Sequence, residues 1–187
     1  MRRTFLILCA ATIMLAACQT TQPSKPTRTE KTQIVLDAEQ FRTIRPEILE
    51  QSGYCGRSEG AVWKDGYSIA IIVLMIADME CAIDEDEITV GALIDKVGWL
   101  KNANTHPEGK PVLVRKLNTP VWIHFLRRDD RPCILFNFGV GYSGDPLYEA
   151  TEHIIGVYCN GRSRDISPEE ANAFLQSVHI KNLQQRE

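Results

Sequence analysis

This sequence contains no C-x2-C and no H-x3-H spacing, the short-range pairs from which tetrahedral zinc sites commonly draw their ligands. No metal site is expected on that ground, and no signature of another cofactor is read in the chain. It also lacks an apolar run long enough to span a bilayer as a helix. The run near its start, Phe5–Ala17, is 13 residues interrupted by Thr12, against about 20 for a stable span. Positive charge is not in excess: 21 Lys and Arg stand against 24 Asp and Glu. Without residues 1–17, which hold Arg2 and Arg3 and no acid, the balance becomes 19 against 24. An acidic domain offers no electrostatic footprint for nucleic acid and no broad face for anionic lipid.

What is present begins with an address. A short positive head, a short apolar core and small residues are the layout of an export signal. The core ends in Leu15-Ala16-Ala17-Cys18, which resembles the lipobox of bacterial lipoproteins. That resemblance covers the signal alone. It implies removal of residues 1–17 and acylation (palmitate among the chains) of Cys18. Each buried methylene contributes about 0.8 kcal/mol, so several chains hold where one is marginal. Gln19 follows the cysteine where an aspartate would imply inner-membrane retention, so the resemblance implies the outer membrane, facing the periplasm. Residues 19–31 carry no aliphatic or aromatic side chain and two prolines. With residue 18 they read as an acylated, flexible tether, because such a stretch buries too little apolar surface to offset its ordering entropy. A single soluble domain is expected over residues 32–187, a size at which one core suffices.

Six cysteines reduce to four once Cys9 leaves with the signal and Cys18 is acylated. Cys55, Cys81, Cys133 and Cys159 form an even set in an oxidising compartment, which favours two disulfides in one of three connectivities.

The domain itself shows helical spacing over Leu36–Gln51, interrupted at Pro46, and again over Thr89–Lys101. Between them, Asp65-Gly66 favours a tight hairpin, and Ile69–Ala77 is an apolar run rich in β-branching that fits either a buried strand or a helix. Val112–Leu117, Val121–Arg127, Ile134–Phe138 and Ile154–Cys159 have the pattern of an antiparallel meander. Ser167-Pro168-Glu169-Glu170 is a helix start with a capping box, and Val178–Ile180 follows as an edge strand. The expected fold is α+β: an antiparallel meander of four or more strands packed with helices and stapled by two disulfides.

Register sharpens this. A hairpin centred on Pro146 places Cys133 opposite Cys159, within disulfide range, which leaves Cys55–Cys81 by elimination. A second turn centred between Asp129 and Asp130 sorts the faces. Val121, Ile123, Phe125, Ile134, Phe136, Phe138, Ile154 and Tyr158 share one, expected to be core under the C-terminal helix. Trp122, His124, Leu126, Cys133, Leu135, Asn137, His153, Ile155 and Val157 share the other, which is apolar but studded with polar groups.

The chemical constellations weigh against catalysis. His124 and His153 fall two strands and four residues apart, about 16 Å by strand spacings, too far to share a metal. The acidic run Asp84–Glu87 fails the calcium-loop pattern, since position six is Thr89 and position twelve is Asp95. Gly139-Val140-Gly141-Tyr142-Ser143-Gly144 is followed by Asp145-Pro146 and another strand, not by the helix a dinucleotide loop needs. Ser143 lacks a nucleophile elbow. Cys55 has Arg57 nearby, yet an even cysteine set outside the cytoplasm favours a bridge over a reactive thiol. Tyr142, Asp145 and Tyr148 in the hairpin loop, with Trp122 and His124 on the mixed face, are the candidate partner-binding residues. The function expected is a non-enzymatic envelope adaptor or accessory subunit that binds another envelope protein. The alternative is a periplasmic hydrolase or small-ligand binder.

Overall fold

The computed structural model describes residues 27–53, 56–77, 103–142, 150–161 and 164–181, together with Gly91, Ile94 and Leu100. Eleven strands are placed among them: β1 Thr27–Thr29, β2 Ile34–Leu36, β3 Glu47–Gly53, β4 Gly56–Asp65, β5 Ser68–Ala77, β6 Thr105–Pro107, β7 Val112–Lys116, β8 Thr119–Arg128, β9 Arg131–Tyr142, β10 Ala150–Cys159 and β11 Val178–Ile180. One α-helix, α1 (Pro168–Gln176), and a 3-10 turn at Glu39–Phe41 complete the described elements.

Nine strands form one sheet in the order β1-β3-β4-β5-β10-β9-β8-β6, with β7 also on β8. Every pairing is antiparallel. β2 and β11 make a separate two-stranded ribbon. The chain is therefore mainly β, which corrects the expected α+β fold of helices packed on a sheet.

The correction has a local cause. Leu36–Gln51, read as a helix, is β2, the 3-10 turn and most of β3. Pro46 supplies no N–H and disfavours helical backbone at Arg45. Beyond it the pattern alternates: Ile48 is buried and Leu49 is 37% exposed. Of Thr89–Lys101, Gly91, Ile94 and Leu100 are helical and the remainder lies outside the described residues. Thr27–Thr29, assigned to the tether on composition, pair with β3 as β1.

The apolar run after Ser68 is the strand β5. It sits between β4 and β10, and both its faces are buried under other elements, Ala70, Ile72 and Leu74 on one and Ile69 and Ile71 on the other. A strand covered on two sides reads as a continuous apolar run, which is why periodicity left it ambiguous. The loop joining it to β4 is Gly66-Tyr67, one residue beyond Asp65-Gly66.

The first face packs under β2, the 3-10 turn, α1 and β11. Tyr158 stacks on Phe174 with centroids 4.4 Å apart and meets Phe41 edge-on at 6.1 Å. The buried Glu59 carboxylate on β4 fixes the crossing segment. It accepts from the Thr32 hydroxyl and from the backbone N–H groups of Gln33 and Ile34. α1 starts as expected, with Ser167 and Glu170 exchanging capping hydrogen bonds and Pro168 in the first turn. The second face packs Leu126, Leu135, Ile155 and Val157 with Leu100 and Ile94.

Cys133 and Cys159 are joined as a disulfide, with Cα atoms 4.0 Å apart. It is the one disulfide among the described residues, in place of the two expected; Cys55 and Cys81 lie outside them.

Candidate functional site

The registers of β8, β9 and β10 are those expected, Ile123 opposite Phe136 and Cys133 opposite Cys159. The two faces are therefore populated as the sequence sorted them. Trp122 and His124 lie on the second face, alternating with the fully buried Val121 and Ile123 of the first.

Pairing between β8 and β9 stops at Ile123–Phe136, while β8 continues back to Thr119 on β7 alone. The β7–β8 hairpin thus leaves the main sheet and packs against α1. Two bonds hold it there: Lys116 Nζ donates to the Gln176 carbonyl at 3.1 Å, and Gln176 Nε2 donates to the Arg115 carbonyl at 2.8 Å. Burial lowers the Lys116 pKa to about 8, because a low-polarity surround disfavours the charged ammonium.

On the outer side of this hairpin Leu113 pairs directly with Trp122 across the strands. They are 52% and 49% exposed, and Leu117 at the turn is 52% exposed. Trp122 stands beside His124, whose pKa is lowered by burial, so the imidazole is neutral at neutral pH. The site is a firmly held apolar pair next to an uncharged hydrogen-bonding ring.

His153 is fully buried on the same face, its Nε2 3.5 Å from the Asn137 amide nitrogen. It sits on β10 opposite Met75, whereas His124 is opposite Leu135, which faces Val157. That restores the separation of two strands and four residues, so the structure does not bring the histidines together. Among the described residues no three His, Cys, Asp or Glu side chains converge as metal ligands.

Tyr142 ends β9 opposite Ala150, but its side chain, and all of Asp145 and Tyr148, lie outside the described residues. So does Cys18. Leu113 was missed by the sequence reading, although a two-residue turn at Leu117-Asn118 would have placed it opposite Trp122. A second feature missed is a cleft at the other end of β8, lined by Lys64, Tyr67, Ser68, Arg128 and Arg131. Its residues meet only through the pairing of β5 with β10.

Comparison with family models, curated proteins and solved structures finds no match to this chain.

Proposed function

We propose that this chain is a cell-envelope lipoprotein, acylated at Cys18 and held at the outer membrane. Its periplasmic domain is a protein-binding adaptor or accessory subunit that docks an envelope protein on the Leu113–Trp122 face. The observation that carries the docking reading is that cross-strand pair, half-exposed on a hairpin clamped to α1. Tryptophan is among the side chains that contribute most when buried in a partner's pocket. A hairpin fixed in advance loses little freedom on binding. The neutral His124 adds a hydrogen-bonding group without the desolvation cost of a charge.

The lipid anchor rests on the match of Leu15-Ala16-Ala17-Cys18 to the lipobox. It suits a module presented to a neighbour in the same envelope. The decisive experiment is photo-crosslinking in intact cells from the acylated, full-length chain, with reactive residues at Leu113, Trp122, Tyr142 and Tyr148 and, as a control, at Lys110. One dominant envelope protein captured from Leu113 and Trp122, and not from Lys110, supports the reading. A folded, membrane-bound bait that captures no protein from any of these positions sinks it.

A further inference from the structure

The turns at one end of the sheet enclose a cleft of about 540 Å³ lined by Lys64, Tyr67, Ser68, Arg128, Asp129 and Arg131. It lies at the opposite end of β8 from Trp122 and does not depend on the adaptor reading. Arg128 and Arg131 are directly opposed across β8 and β9, an arrangement of like charges that destabilises a strand pair. Arg128 is paired with Asp129 at 3.1 Å. Lys64 and Arg131 have no carboxylate partner among the described residues. The lining therefore carries three cations against one anion, with Asp65 and Asp130 next to it in the two turns, in a chain whose net charge is −3.

The backbone around these cations is held in place. Asp129 and Asp130 both adopt left-handed φ, 47° and 65°, as a two-residue hairpin turn requires. Asn104 clamps that turn: its carbonyl accepts from the Asp129 N–H at 3.0 Å and its N–H donates to Asp129 Oδ1 at 3.2 Å. On the other wall, Gly161 packs so closely on Tyr67 that a Cβ would fall 2.1 Å from the Tyr67 carbonyl carbon. The Gly161 N–H donates to Ser68 Oγ at 3.3 Å, and the Ser68 hydroxyl lines the cleft with its own proton still able to donate. Buried Ile69 lies between the two walls.

We infer that this cleft binds a phosphate group. The Arg131 guanidinium fork, the Lys64 ammonium and the Ser68 hydroxyl suit several oxygens at once, with Arg128 beside them. The excess of cations over acids in the lining suits an anionic group. The group comes either from free phosphate or from the headgroup of an envelope lipid, and one chemistry serves both.

The test uses the full chain in neutral detergent micelles, with the backbone amides of Gly66, Ser68, Asp129 and Arg131 followed by NMR. One arm adds inorganic phosphate against chloride at matched ionic strength; the other dopes the micelles with phosphatidic acid. Saturable shifts confined to the cleft are expected in at least one arm, and which arm responds identifies the source. K64Q/R131Q, at two exposed positions, should bind about tenfold more weakly. R45Q/K110Q, exposed cations elsewhere, should bind as the native chain does. No saturable shift in either arm, or equal binding by K64Q/R131Q, overturns the site.

Discussion

The ring of Phe136 occupies the space that a side chain on Gly156, its cross-strand partner, would need: a Cβ there would lie 2.0 Å from the ring. Glycine lets the ring lie flat on β10, with Phe174 of α1 6.3 Å away. Gly156→Ala should therefore destabilise the fold by about 1–3 kcal/mol through overpacking. Urea unfolding measures this, and a neutral effect would show that the ring has another place to go.

The Cys133–Cys159 disulfide closes a separation of 26 residues. Chain-entropy arguments give such a loop about 3 kcal/mol of stabilisation through the unfolded state. C133A/C159A should lower the unfolding midpoint in urea accordingly. A reductant should shift the native chain and leave the variant's midpoint where it is. A native chain indifferent to reductant while unfolding would contradict the assignment.

Lys116 gives a pH signature whose sign is fixed. Its folded pKa is about 8, below the ordinary lysine value of 10.5, so between those values the unfolded chain binds more protons. Stability then rises with pH across that window. The gain is fully present above the unfolded value and is lost as pH falls through about 8. Its size is of order 1–3 kcal/mol. Subtracting the pH profile of K116M from that of the native chain should isolate the slope. Parallel profiles from about pH 8 to 10.5 would remove the buried ammonium from the account.

Trp122→Ala and Leu113→Ala should reduce partner crosslinking several-fold while lowering stability by no more than about 1 kcal/mol, because both side chains are already half in water. Crosslinking of native strength from the double variant would move the docking surface elsewhere.

Cys18→Ala should abolish palmitate labelling and release the domain from the membrane fraction, as the lipobox resemblance implies. Persistent labelling would place the acyl chains on another residue.

Much of the second half of the fold was legible because its signals are short-range. Ser167 reaches Glu170 within one helical turn, and the Asp129-Asp130 turn fixes its own register. Once two registers are known, the period of two decides every face, which is how Trp122 and His124 were placed together on the outer side. The first half misled. Leu36, Phe41, Ile44 and Ile48 have helical spacing, yet they belong to a strand, a 3-10 turn, a connection and another strand. Leu36, Phe41 and Ile44 are drawn to the same core from different elements, and spacing carries no record of that.

The sequence by itself determined the Asp129-Asp130 turn, the capped helix and the Cys133–Cys159 pairing, because each depends on residues close in the chain or on one hairpin. Only the tertiary structure decided that β5 lies against β10, and with it that the chain is mainly β. That adjacency also set Lys64 across a cleft from Arg128 and Arg131. Strand order follows from which faces bury the most apolar surface together. That quantity belongs to the whole sheet, and no segment of sequence expresses it alone.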